Sequence, residues 1–149
     1  MSKRNNDYEV LAEMICDLTR NCTIKEEYFA ASFNLSPTEV RLLKLFAFHN
    51  SFTIKELREK LKLTAGRITH ILVSLEAKKL IVRIPDENDK RNIIVKLLPK
   101  ASPLILNLNQ NYHKLHEDIL KNVQGDDMDK IFFSMQILVD VFKKWVEET

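Results

Sequence analysis

A mainly α-helical fold with one small β-hairpin, an α+β arrangement poor in sheet, is what this sequence predicts, on three observations. Helix-capping side chains at Ser36, Thr53, Thr64 and Asp126 stand just ahead of apolar residues at helical spacing. Two β-branched runs, Ile81-Val82-Arg83-Ile84 and Ile93-Ile94-Val95-Lys96-Leu97, flank the polar turn-forming segment 85–91. Only two glycines and four prolines interrupt 149 residues, which favours long helices.

Residues 53–98 organise the rest. Thr53-Ile54-Lys55-Glu56 is a capping box: the Thr53 hydroxyl accepts the Glu56 amide while the Glu56 carboxylate reaches back to the Thr53 amide. Ile54, Leu57 and Leu61 then form one apolar stripe and leave Lys55, Arg58, Glu59 and Lys60 in water. Three residues beyond Leu61, Thr64 caps a second helix, which is helix-turn-helix spacing. In that helix Ala65, Ile68, Leu72 and Leu75 point inward with Ile71 at their edge. Thr64, Arg67, Thr69, His70, Ser74 and Lys78 are expected outside. Arg pairs bidentately with guanine, and hydroxyls and imidazoles serve base edges or phosphates, so these are the expected DNA-contacting residues. Gly66 costs helix stability relative to Ala; close approach of a phosphate to the helix end is a functional reason for it, and a helix terminus that tolerates a small residue is the commoner one. The two strands with their charged tip make a wing whose Lys90 and Arg91 reach the neighbouring minor groove. Helix, turn, helix, hairpin is the order of a winged helix-turn-helix.

Charge is segregated in the same way. Residues 53–100 hold twelve Lys and Arg against six Asp and Glu, a net +6, while the remainder has eleven against fifteen, a net −4. The whole-chain +2 thus hides a basic module inside an acidic frame, and only the module suits a polyphosphate. A solvated charged face would explain the count but not the segregation.

The chain is long enough for a real core, and 45% hydrophobic with 30% charged residues is the composition of a folded protein rather than a disordered one. No run approaches the length of a membrane span and no signal-peptide core is seen, so a cytoplasmic protein with no membrane partner is expected. Two cysteines do not make a disulfide framework. There is no Gly-rich phosphate loop, nucleophile elbow, catalytic carboxylate pair or CxxC pair, so no enzyme and no cofactor are expected.

Before the module, residues 7–33 form an amphipathic helix on Tyr8, Leu11, Ile15, Leu18 and Cys22, with room for a bend at 21–24 before Tyr28, Phe29 and Phe33. Ser36-Pro37-Thr38-Glu39 is a second capping box with proline in the first turn. It opens a helix expected to run over roughly 38–49, apolar nearly all round and so central to a core. After the wing, residues 100–123 are helical, Gly125 is read as the terminator and Asp126 as the next cap. The last helix, to about residue 147, carries Met128, Ile131, Phe132, Met135, Leu138, Val139, Phe142, Trp145 and Val146 on one face. That apolar stripe exceeds what one small module covers and predicts a homodimer, with residues 1–35 and 100–149 as the helical dimerisation region and 36–99 as the DNA-binding lobe of a single subunit, 1–149. Two recognition helices about 34 Å apart fit successive major grooves of a pseudo-palindromic double-stranded operator. A thick monomeric core is the alternative.

This order of elements, at this length, resembles the MarR family of bacterial transcriptional regulators. The wing segment Arg83-Ile84-Pro85-Asp86-Glu87-Asn88-Asp89-Lys90-Arg91 is similar to the family's Arg-x-x-Asp-x-x-Asp-x-Arg signature, and the recognition helix aligns without a gap. The resemblance is strong over 36–98 and rests on helix pattern elsewhere. It implies an obligate dimer, usually a repressor, released from DNA by a small aromatic or anionic effector. Three departures stand out: Lys79 where the family usually has Gly, Arg67 where a small hydroxyl residue is common, and Leu98-Pro99-Lys100-Ala101 for the usual Leu-Thr-x-x-Gly. Asp86 and Asp89 are within sequence reach of Arg83 and Arg91 and are expected to orient a wing arginine, against a solvated pair of little consequence. Some relatives carry a peroxide-sensing thiol on the first helix. Cys16 is the candidate here, Cys22 falling on the apolar stripe as buried filler, so a redox-sensing repressor is one alternative function. A winged helix serving only protein interaction is the other, and would present aromatics where this wing face presents cations. His113, His116 and Glu117 cluster on one helix, but a metal site needs a fuller tetrahedral set, so no metal is expected.

Overall fold

The computed structural model describes the backbone of residues 2–149 and the side chains of residues 6–149. Its elements run α1 (Ser2–Ala31), α2 (Pro37–Leu45), β1 (Ser51–Thr53), α3 (Ile54–Leu61), α4 (Ala65–Ala77), β2 (Ile81–Pro85), β3 (Ile93–Leu97), α5 (Ala101–Leu120) and α6 (Gly125–Glu148). Residues up to Tyr112 form one compact unit and His113–Thr149 a second. Among the described residues no helix is long and apolar enough to cross a membrane.

In the first unit α1 runs unbroken through 21–24, where the sequence leaves room for a bend. The Thr19 and Thr23 hydroxyls fold back onto the carbonyls of Ile15 and Thr19 at 2.8 and 3.0 Å, so polar side chains are satisfied without interrupting the helix. Its end is set by Asn34 at φ 57°, whose left-handed turn lets the Leu35 amide donate to the Ala30 carbonyl at 3.0 Å. The capping box on α2 is present, with the Glu39 amide 3.2 Å from the Ser36 hydroxyl and the Ser36 amide 2.9 Å from the Glu39 carboxylate. α2 stops at Leu45, earlier than the sequence predicts. The chain leaves it to enter β1, a three-residue strand absent from the sequence reading, and Phe46 packs edge-on against Phe52 at 4.9 Å.

β1 turns the two-stranded wing into a three-stranded antiparallel sheet of order β1-β3-β2, with Phe52 opposite Val95 and Arg83 opposite Val95 on the other side. The core draws on every layer: Val40, Leu42 and Leu43 of α2, Leu57 and Leu61 of α3, Ile68, Leu72 and Leu75 of α4, Ile81 and Val95 of the sheet, and Ile105 and Leu108 of α5 are all buried.

In the second unit, Gln124 rather than Asp126 is the N-cap of α6, and Gly125 is its first residue instead of a terminator for α5. The Met128 amide donates to the Gln124 carbonyl at 2.8 Å, which starts the ladder two residues earlier than expected. Asp126 and Asp127 then sit in the first turn, where negative charge complements the helix dipole. Within the single chain no residue of α6 is buried, and Phe132, Phe133 and Trp145 are more than three-fifths exposed.

Candidate nucleic-acid interface

The recognition helix is fixed at both ends by local chemistry. The Thr53 box forms as expected, with the Glu56 amide 3.1 Å from the Thr53 hydroxyl. Lys62 at φ 54° turns the chain out of α3, and the Thr64 hydroxyl accepts the Arg67 amide at 3.3 Å to open α4. At the other end Lys79 adopts φ 59°. Its amide donates to the Glu76 carbonyl at 2.9 Å, and that of Leu80 to the Leu75 carbonyl at 3.1 Å. This is a Schellman turn, so the backbone shape that favours glycine is kept with a lysine in it.

Tertiary packing turns α4 away from the orientation its sequence predicts. Ile71 is 5% exposed and belongs to the core with Ile68, Leu72 and Leu75, whereas Ala65 is exposed. Successive residues are about 100° apart around a helix, so a core centred on 68, 71, 72 and 75 directs Gly66, His70, Val73 and Ala77 outward. Arg67 lies on the flank toward α2, and Thr69 on the flank toward β2. Thr69 is exposed, but its hydroxyl donates to the Ala65 carbonyl at 2.9 Å.

Two of the expected DNA contacts have partners within the chain. Ser74 and Lys78 face α2, where Glu39 is buried and needs partners: the Ser74 hydroxyl donates to Glu39 at 3.1 Å, and the Lys78 ammonium to both of its oxygens at 3.0 and 3.1 Å. Lys78 also donates to the Asn34 carbonyl at 3.0 Å. Burial alone would push the Glu39 carboxyl up; hydrogen bonds from the Ser36 amide, Lys78 and Ser74, with the Lys78 charge, outweigh it and hold the group below its ordinary value. These bonds pin the recognition helix to α2.

The wing shows a similar division of labour. Arg83 is engaged by Glu76 of α4, with Nη2 3.3 Å from Oε2 and Nε on Oε1, rather than by Asp86 or Asp89. The two aspartates shape the tip through backbone amides: Asp86 accepts Asn88 N–H at 3.0 Å and Asp89 accepts Arg91 N–H at 3.1 Å. Asp89 also stands 3.6 Å from the Arg91 guanidinium, whose side chain is 95% exposed at the tip beside exposed Lys90.

Two hollows extend this surface. One of about 740 Å³ lies where the N-terminal ends of α2 and α4 converge, among Ser36, Thr38, Thr64, Gly66, Arg67 and His70. The other, about 270 Å³, is lined by Thr53, Lys55, Arg58, Arg91 and Asn92 at the base of the wing. Free amides at helix starts and clustered cations both suit phosphate oxygens. In sequence Ser36-Pro37-Thr38 is a helix start and Lys55 and Arg58 a wet face; the fold brings the first beside the start of α4 and the second beside Arg91.

Elsewhere, α1, α2 and α5 meet at an aromatic joint. Phe29 packs on Phe33 and edge-on to Tyr112, with centroids 5.2 and 5.3 Å apart, and the Lys44 ammonium sits 3.2 Å from the centre of the Tyr112 ring. The Tyr112 hydroxyl donates to Glu26 at 3.2 Å. Burial raises the Tyr112 pKa, as do the charge and hydrogen bond of Glu26; burial likewise lowers that of Lys44, against the pull of Glu26. Cys16 and Cys22 are both exposed on α1, so Cys22 is not buried filler within the chain. His113 stands 3.4 Å from Glu117, and no group of three or more metal-ligating side chains occurs among the described residues.

Helix, turn, outward-facing second helix and basic wing together define a winged helix-turn-helix protein. The MarR family model matches residues 35–93, from the turn after α1 to the start of β3. Multiple antibiotic resistance protein MarR of Salmonella typhimurium is 28% identical over 101 residues, 67% of this chain and 70% of that protein. The organic hydroperoxide resistance transcriptional regulator of Bacillus subtilis is 27% identical over 95 residues, 61% of this chain and 65% of that protein. Among solved structures, Streptococcus pneumoniae FabT in complex with DNA superposes with a TM-score of 0.78 at 20% identity, covering 93% of this chain and 99% of FabT. A mutant MarR from E. coli complexed with operator DNA gives 0.75 at 21%, covering 89% and 96%. At such identities the structural likeness establishes the shared fold.

Proposed function

We propose that this chain is a homodimeric, sequence-specific transcriptional repressor that binds a pseudo-palindromic DNA operator and is released by a small aromatic or anionic effector. One observation carries the reading: in a lobe of net +6, Arg67 and His70 of α4 share one hollow with the start of α2, and Arg91 of the wing shares another with Lys55 and Arg58 of α3. Such a surface fits a major groove with its bordering phosphates, and DNA-bound relatives of the same fold support the assignment. Thr64, Arg67, Thr69, His70, Lys90 and Arg91 are the proposed contacts, with Ser36, Thr38, Lys55 and Arg58 added beside them. Asp86 and Asp89 set the tip that carries Arg91, while Arg83 braces β2 against α4.

The dimer is supported by α6, where Phe132, Phe133, Phe142, Trp145 and Val146 stand exposed and would lose contact with water against a second copy. The effector is proposed to act at the joint of Phe29, Phe33, Lys44 and Tyr112, where rings and a cation link the helical frame to α2. The test of DNA binding is fluorescence anisotropy of a labelled duplex over a salt series. Binding whose affinity falls steeply and linearly with log salt is expected; no binding to any duplex at low salt would overturn the proposal.

A further inference from the structure

We infer that Val73 is a specificity-determining residue that reads the C5-methyl group of a thymine in the major groove, and that Gly66 is small so that the groove can approach the same helical line. This rests on the DNA-binding reading above and adds to it the identity of a base pair.

Val73 is half-exposed on α4, while the other large apolar side chains of that helix, Ile68, Ile71, Leu72 and Leu75, are all buried. It stands three residues after His70 and seven after Gly66, so the three lie along one line opposite the core. Nothing within the fold accounts for glycine at 66: its φ is not positive, and a Cβ built there would meet nothing within 4 Å. A helical residue that neither packing nor backbone geometry requires to be small leaves room for something outside the chain. Beside this line Thr69 has its hydroxyl committed to the Ala65 carbonyl, so its methyl is the part free for an apolar contact.

The occupant follows from charge and shape. Arg67 borders the line, His70 lies on it, and the lobe around it is basic, which suits a polyanion and not an apolar protein surface. The one apolar feature that a major groove offers to such a strip is the thymine methyl. Glu76, the acid of α4 nearest the wing side of the line, is held by Arg83 and so adds no unpaired negative charge there.

The experiment selects duplexes from a randomised pool with the full-length protein, then replaces each thymine of the selected site by deoxyuridine, which removes only the methyl. Wild type should lose roughly fourfold in affinity for each methyl removed and roughly fifteenfold when both half-sites lose it. Val73→Ala, a change that favours helix, should bind the thymine and uracil duplexes alike and keep the wild-type salt slope. Gly66→Ala should keep or raise the thermal midpoint while losing about tenfold or more for the selected site. The inference is overturned if no thymine is sensitive to demethylation, if Val73→Ala remains as sensitive as wild type, or if Gly66→Ala binds undiminished. Failure to select any duplex would instead overturn the DNA-binding reading, and this inference with it.

Discussion

Replacing Lys78 by alanine separates two roles that its position on α4 allows, a phosphate contact or a tie to α2. The structure assigns the second. Its ammonium bonds both oxygens of Glu39, a side chain only 6% exposed, while Lys78 itself is one-third exposed. Removing one partner of a fully buried pair costs about 3 to 5 kcal/mol; here Glu39 keeps the Ser36 amide and the Ser74 hydroxyl, so about 2 to 3 kcal/mol is expected for Lys78→Ala. Glu39→Gln keeps the shape but sets an amide against an ammonium, and should cost about 1 to 2 kcal/mol. Urea unfolding at one fixed protomer concentration measures both, with the double variant giving a coupling of about 1 to 2 kcal/mol. The folded Glu39 carboxyl lies below its ordinary value of 4.5. Its stabilising contribution is therefore complete above the unfolded-state value and is lost as pH falls through 4.5 toward the folded one. Glu39→Gln should remove that part of the acid sensitivity. A near-neutral Lys78→Ala with coupling under about 0.3 kcal/mol, together with a DNA salt slope reduced by about one unit for each lost contact, would refute the tie and restore the phosphate contact.

Three further outcomes are expected. Lys79→Gly should stabilise the protein by about 1 kcal/mol in urea, because residue 79 already adopts a left-handed φ of 59° that costs any side chain with a Cβ; a destabilised variant would contradict the turn assignment. Arg91→Ala should weaken specific and random duplexes alike and flatten the salt slope by about 0.9 for each phosphate contact removed, so an unchanged slope would remove Arg91 from the interface. Truncation before Gly125 should abolish dimerisation in sedimentation velocity, and a truncated chain that remains a full-strength soluble dimer would show that α6 is not the interface.

What the sequence disclosed is what local chemistry decides. Both capping boxes act within four residues, and both are present. The hairpin was legible because β-branched runs bracket a turn-forming segment. β1 was not, since three residues that end on a helix cap become a strand only by pairing with β3, more than forty residues later. The facing of α4 was misjudged for a related reason: Ile71 lies at the edge of the apolar stripe, and only packing places it in the core, which turns Ser74 and Lys78 inward and Val73 outward. Serine, lysine and valine carry no signal of their own about which side of a helix a partner will occupy. Arg83 likewise had nearer carboxylates in the sequence than Glu76, yet strand-to-helix packing chose the latter.

The central claim is that two copies of this chain present paired basic recognition surfaces to one duplex. Sedimentation of the full-length protein with a labelled, selected duplex tests it most directly, by the mass of the bound species. The account predicts two chains per duplex, with the free protein already a dimer; a free monomer that leaves the duplex sedimenting alone at low salt would contradict it.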